Sequence, residues 1–435
     1  MKHSSHSRRF VPRRPVRAAL WWARFRFSTG RKGWRSAAPV RETGFADVAA
    51  ETVQSADALI ASPFDGPRLW TARPVRTVRQ PLQLLLDLCI DDPDKQTPLA
   101  QVCEPYESAP LQYLRIRDVL LLAGSGVVMH EPWNVLRETK ARLSFDLSPL
   151  PGTTKESETA RYRLERARPS RILDGPILSL CHLYSSSYGH WFTDCLAGVF
   201  DLLDVVRAGR LPLLARPLSD WQRRTLELLE VPSSAVVETD GNKIAITDLT
   251  CHSFPGRTHA AHQGPLTAEI FRMLRAASVK ASRAPSPRLI YVSRRLFPTN
   301  RQFLDEKRIE EALAQLGFVV LHPQELTLDQ QIAAFSRAEV VVGPHGAALA
   351  NIGYAPPGCL VVSIFPGRGR PAWLFGMARQ LEHRIVLLQA RSQVLGTIES
   401  SVAHGHFLPR IYSIDAAVVA ERVRVGMERL GIAPG

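Results

Sequence analysis

Leu289-Ile290-Tyr291-Val292, Phe318-Val319-Val320-Leu321, Val340-Val341-Val342-Gly343, and the runs 360–365 and 385–388 follow one another through residues 288–400. Each is four to six residues long and rich in β-branched side chains, the signature of a buried strand. Between them the apolar period changes from two to about 3.6. Ile309, Leu313 and Leu316 recur at helical spacing over 305–316, and Gly317 ends that helix. Leu328, Ile332 and Phe335 mark a second helix over 327–338, and 372–381 reads as a third. Strands alternating with helices of this length predict a parallel sheet covered on both faces, a Rossmann-like C-terminal domain.

Upstream the same alternation is weaker. Ile177-Leu178-Ser179-Leu180 predicts a strand, followed by a helix over about 190–206, a strand at 211–214, a helix at 221–229, a strand at 244–251 and a helix at 267–280. Arg283-Ala284-Pro285-Ser286-Pro287 reads as a linker. Residues 45–170 offer strand-like pieces at 119–122 and 126–129 among many prolines. The expected organisation is a basic segment (1–44), an α/β acceptor-side domain (45–280), a nucleotide-sugar-binding domain (288–400) and a C-terminal helix (401–435) returning to the first domain.

The chain has 435 residues, 45% hydrophobic and 22% charged, enough to bury the cores of two domains. Its net charge of +14 is concentrated: residues 1–36 hold eleven Lys and Arg and no acid, leaving +3 for the other 399. The body therefore lacks the basic excess of a nucleic-acid binder. Leu20, Trp21, Trp22, Phe25, Phe27 and Trp34 interleave with those arginines, a composition suited to an anionic membrane surface or to a solvated basic tail. Ser7-Arg8-Arg9-Phe10 faintly matches a twin-arginine export signal, but arginines interrupt the apolar core such a signal needs. No run of about 18 apolar residues spans a bilayer. The expected location is the cytoplasm, peripheral at the inner membrane face at most. Six scattered cysteines without paired spacing predict free thiols. Asp92-Pro93-Asp94 has metal-site spacing but reads as a turn, and His404-Gly405-His406 as a loop, so no metal and no cofactor is expected.

Ligands of open parallel sheets bind outside the carboxyl ends of the strands. Two loops there carry the chemistry: Ser293-Arg294-Arg295, followed by Arg301 and Asp305-Glu306, and the loop from Gly343 to Asn351 that contains Pro344-His345-Gly346-Ala347. Arginine forks match phosphate oxygens, glycine lets a backbone amide approach an anion, and His345 as an imidazolium would add charge where a leaving diphosphate gains it. His190 and Asp194, four apart, share a helix face and can supply a base to an acceptor hydroxyl. Either loop alone is equally a solvated surface pair or a capped turn, and the His190 helix start equally a packed one.

Together, Tyr291-Val292-Ser293-Arg294-Arg295, Arg301, Asp305-Glu306, Gly317-Phe318, Gln331 and Gly343-Pro344-His345-Gly346-Ala347 resemble the core of glycosyltransferase family 61. Tyr188-Gly189-His190-Trp191-Phe192-Thr193-Asp194 resembles that family's N-terminal motif. The resemblance implies a GT-B-like α/β fold with two Rossmann-like domains facing a cleft. It implies metal-independent inverting transfer of a hexosyl or pentosyl group from a nucleotide-sugar, by expectation a UDP-sugar. The acceptor would be a glycan or lipid-linked saccharide in surface or capsular polysaccharide synthesis. His190 and Asp194 become the catalytic residues; Arg294, Arg301, Glu306, His345, Gly346, Ala347 and Asn351 become the donor-binding ones. Asp305 stands where Asn is usual, Ala348 where Gly is frequent and Ser363 where Glu is frequent. Those departures keep open a non-catalytic nucleotide-sugar-binding module.

Overall fold

The computed structural model describes residues 37–39, 41–90, 99–131, 134–139, 148–149, 161–163, 169–241, 243–254, 263–279, 286–296, 301–365, 372–394 and 410–435. The basic segment 1–36, the Asp92–Asp94 turn, His404–His406 and linker residues 281–285 lie outside them.

The chain is a mixed α/β protein in which two sheets carry most of the described strands. In the first, β1 (Leu111–Leu122) and β2 (Val127–Glu131) form an antiparallel pair. After them come β3 (Ile177–Ser179), β4 (Leu213–Ala215), β5 (Val236–Glu238) and β6 (Lys243–His252). These four run parallel in the order β5-β4-β3-β6, and β1 adds antiparallel to β6. Sequence reading caught only the end of β1 because Arg115 and Arg117 interrupt its apolar pattern. Arg115 is nonetheless buried: its guanidinium forks onto the Asp248 carboxylate at 2.7 and 2.9 Å and donates to the carbonyls of Leu59 and Ala61. A charge satisfied on every side is tolerated inside a sheet.

The second sheet follows the predicted runs: β7 (Leu289–Val292), β8 (Val319–Leu321), β9 (Val340–Pro344), β10 (Leu360–Phe365) and β11 (Arg384–Gln389). All are parallel, in the order β8-β7-β9-β10-β11. Helices α1 (Asp220–Leu228), α2 (Leu266–Val279), α3 (Glu306–Ala314), α4 (Leu328–Phe335), α5 (Ala372–Gln380) and α6 (Ala416–Arg429) pack against the sheets. Alternation along the strands sorts the two faces. Tyr291, Val340, Val342, Val362 and Val386 join Ile309, Leu313, Val419 and Val423 in one core. Ile290, Val292, Val341, Val361 and Ile385 join Phe271, Ile332, Phe335 and Leu374 in another. Gly317, at φ 87°, takes the left-handed turn that separates α3 from β8. Thr327 caps α4, its side chain accepting from the Gln330 amide while Gln330 accepts from the Thr327 amide.

Two domain boundaries need correction. The segment Gln83–Leu84 adds a strand beside β11, so the chain before residue 280 contributes to the second sheet. Helix α6, expected to return to the first domain, covers the second sheet, packed on α3 and β10. Just past the Gln83–Leu84 strand, the Asp87 carbonyl accepts from Arg422 and the Asp87 carboxylate pairs with Arg429. The apolar periodicity of α6 records that it packs, not against which sheet.

The two sheets share a core. Phe271 of α2 sits 4.9 Å from Phe192 and 5.0 Å from Tyr354, ring centroid to centroid. A Cβ on Gly353 would lie 2.3 Å from the Phe271 ring, so the small residue there permits this approach. Among the described residues no helix is long and apolar enough to cross a membrane.

Candidate functional site

Strand order reverses once in each parallel set. In the first sheet β3 lies between β4 and β6; in the second β7 lies between β8 and β9. At such a reversal adjacent strands send their following loops to opposite faces, leaving a crevice at the carboxyl ends. The crevice between β7 and β9 is bounded by the Arg294 and His345 loops. The one between β3 and β6 is bounded by residues 180–190 and by His252 with Ser253 and Phe254.

Past β3 the chain makes an α-helical turn, Tyr188–His190, then a π-helical turn, Trp191–Cys195, closed by the Leu196 amide on the Trp191 carbonyl at 2.8 Å. A continuous α-helix was expected. The wider turn is held from both sides: Trp191 donates to the Thr225 hydroxyl on α1 at 2.8 Å, and Phe192 is buried against Phe271. Such insertions are frequent at functional sites because they re-aim side chains. Here His190 Nδ1 lies 2.7 Å from Asp194 Oδ2, which also accepts from the Thr193 hydroxyl.

The pair is asymmetric. The Asp194 side chain is 3% exposed and that of His190 is 47% exposed. Burial pushes the Asp194 carboxyl up, but the His190 hydrogen bond, the nearby His182 and Thr193 outweigh it and hold it below the usual range. With Nδ1 turned to an ionised carboxylate, the remaining His190 nitrogen, Nε2, is the one left for a ligand. His190 makes no side-chain cap bond to the turn that follows it. Tyr184 stacks on its ring at 4.8 Å, and His182, itself 4.5 Å from the Phe254 ring, sits 6.1 Å away. His252, the last residue of β6, is buried and pushed down to about 4 by desolvation. His182, Tyr184, His252 and Phe254 were missed, although each lies at or just beyond the end of a predicted strand.

In the second crevice the tandem arginines divide. Arg295 pairs with Glu310, which also accepts from the Ser293 hydroxyl at 2.6 Å. Arg294 reaches across instead: its Nη1 donates to the His345 carbonyl at 3.3 Å, and its backbone amide donates to Glu306 at 2.7 Å. Glu306, expected among the donor-binding residues, is 4% exposed and also accepts from the Tyr291 hydroxyl. Burial raises its carboxyl, with Glu310 adding to the effect, against the pull of the Arg294 amide. Its place is beneath the arginine, holding the loop. A Cβ on Gly346 would stand 1.7 Å from Arg294 Nη1, so that glycine is the space the guanidinium occupies.

His345 differs from the expected imidazolium. The Trp373 indole on α5 donates to its Nε2 at 3.0 Å, which requires a lone pair there and places the ring proton on Nδ1. Ala347 opens the 3₁₀ helix Ala347–Tyr354 and is exposed. Arg301 starts the short strand Arg301–Phe303, beside 410–413; its side chain lies outside the described residues. Asn351, expected at the donor, is fully buried. Its Nδ2 donates to Gln331 and to the Ala348 carbonyl, each at 3.0 Å, and its Oδ1 accepts from Tyr188 at 2.7 Å.

That last bond joins the two crevices. Tyr188 leads into the His190 turn and Asn351 ends the first turn after the His345 loop, while Gly189 and Ala350 stand face to face. Residues 188–362 match the family model described as Glycosyltransferase 61. This segment is a glycosyltransferase family 61 domain. Among curated proteins none matches the chain. The matched segment contains the His190 turn, the Arg294 and His345 loops and every candidate residue, which supports a glycosyltransferase activity. Tyr188→Phe is expected to cost the domain about 1–3 kcal/mol, the penalty for leaving the buried Asn351 oxygen unpaired, read by urea unfolding. An unchanged midpoint would mean that the bond contributes nothing.

Proposed function

We propose that the protein is an inverting glycosyltransferase that moves a hexosyl or pentosyl group from a nucleotide-sugar, of which a UDP-sugar is the first to test, to a saccharide acceptor. The pathway in view is synthesis of a surface or capsular polysaccharide. In this reading the two sheets are the halves of a GT-B-like enzyme. The donor diphosphate lies between Arg294 and the amides around Gly346, with the His345 ring donating from Nδ1. Arg301, Glu306 and Ala347 belong to the same loops, Glu306 as the support of Arg294.

His190 is the base. Its Nε2 accepts the acceptor hydroxyl's proton as that oxygen attacks the anomeric carbon, and the nucleoside diphosphate leaves toward Arg294. Asp194 holds Nδ1–H and stabilises the imidazolium that forms. The observation that carries this is the His190–Asp194 bond on a turn tied through Tyr188 and Asn351 to the Arg294–His345 crevice. An inverting displacement needs a base and a leaving-group cradle on opposite sides of one carbon, and two touching crevices supply both.

Arginine and backbone amides can meet the diphosphate's charge without a divalent ion. Turnover of UDP-sugars is therefore expected to persist in excess chelator, with the product's anomeric configuration inverted by NMR. Loss in chelator restored by Mn²⁺ would overturn the metal-independent reading, and retention of configuration would overturn inversion. A protein stabilised by UDP, yet neither transferring nor hydrolysing any donor, would be a nucleotide-sugar-binding module.

A further inference from the structure

His345 is gripped by three elements. Its amide donates to the Ile364 carbonyl at 2.8 Å, its carbonyl accepts from Arg294, and its ring lies 5.0 Å from Phe365 and 5.1 Å from Trp373, centroid to centroid. His345 is 8% exposed, and the Trp373 indole points its one N–H at Nε2. An indole nitrogen can only donate. Protonating Nε2 would set two N–H groups against each other and strand the indole donor in a closed site.

We propose that Trp373 is a positioning residue that fixes His345 as the neutral Nδ1–H tautomer. The nucleotide's phosphates then meet a hydrogen-bond donor whose charge does not change through the neutral pH range. The consequence for donor binding rests on the donor role given to His345 above; the tautomer itself does not. Among the described residues on the elements packed against the ring, Arg294 is a charged group that reaches His345, and it stays protonated at every working pH. Glu306, which holds the Arg294 amide, is the titrating neighbour, and its carboxyl is raised. It is present in the wild type and in a Trp373 variant alike, so its titration appears in both.

The indole N–H is the group to remove, and Trp373→Phe keeps an aromatic ring beside His345. In the full-length wild type, histidine-selective ¹⁵N NMR at pH 7 is expected to show His345, assigned by its absence in His345→Gln, protonated at Nδ1 and bare at Nε2. Between pH 6 and 8 that signal should not titrate, whereas in Trp373→Phe, with Nε2 released from the indole, its titration midpoint should rise above the wild-type one. UDP binding by calorimetry should then strengthen about tenfold on acidification in the variant, a neutral donor becoming a charged one, beyond any change in the wild type. A wild-type His345 protonated at Nε2, or one titrating identically in both proteins, would overturn the proposal. If the tautomer is as stated but His345→Gln binds UDP normally, the donor role of His345 fails and the tautomer assignment stands.

Discussion

His190→Ala and Asp194→Asn are each expected to lower turnover by about 10²–10⁴, the usual worth of a general base, with nucleotide affinity near the wild-type value. The two should act as a unit, the double variant losing little more than either single one, because Asp194 works only through the ring it orients. Both should also cost stability, because each surrenders the same charge-assisted hydrogen bond, worth about 1.5–3 kcal/mol, and His190→Ala leaves the buried Asp194 carboxylate without its imidazole partner. The Asp194 contribution has a definite sign with pH. A carboxyl held below its unfolded value stabilises fully above that value, about 3.9, and the contribution is lost as pH falls through the folded one. The advantage of wild type over Asp194→Asn in urea midpoint should therefore be flat from pH 8 to 5 and shrink below about 4. Variants that melt early but turn over normally per folded molecule would make the pair structural and send the search for a base to His182 and His252.

How far the sequence carries can be read from these residues. The second sheet was legible strand by strand because each run is wholly apolar and each intervening helix keeps one period. The order of its strands was not, since registry is set by which faces meet. It is that order which turns two separate loops into the walls of one crevice. In the first half, β1 was shortened by Arg115, whose partner Asp248 is 133 residues away. The π-turn was invisible because Trp191, Phe192 and Cys195 suit an α-helix equally well; what widens the turn is packing against Thr225 and Phe271. Asn351 marks the same limit from the other side. Its type and position after a glycine loop suit a ligand, yet both hydrogens of its amide nitrogen and its oxygen are committed inside the protein.

Gly346→Ala should weaken UDP binding by about 1.5–3 kcal/mol, roughly 10–150-fold, without unfolding the domain. Gly346 has φ 173°, extended backbone that alanine adopts freely, so the substitution strains no dihedral. The atom it would strike, at 1.7 Å, is the far end of the Arg294 side chain. That guanidinium, which donates to the His345 carbonyl at 3.3 Å, ends a long flexible side chain that can swing aside without moving the backbone. What moves with it is the fork offered to the diphosphate. Arg294→Ala should therefore lose a similar amount, and the double variant should bind UDP no more weakly than Arg294→Ala alone, since each change removes the same contact. Arg294→Lys should recover only part of the loss, because a single ammonium cannot span two phosphate oxygens as a fork does. If Gly346→Ala binds UDP normally while Arg294→Ala does not, Arg294 meets the phosphate from another rotamer, and the glycine serves only to let the chain pass. Additive losses would instead give Gly346 a separate role, its own amide approaching the anion at the start of the 3₁₀ helix.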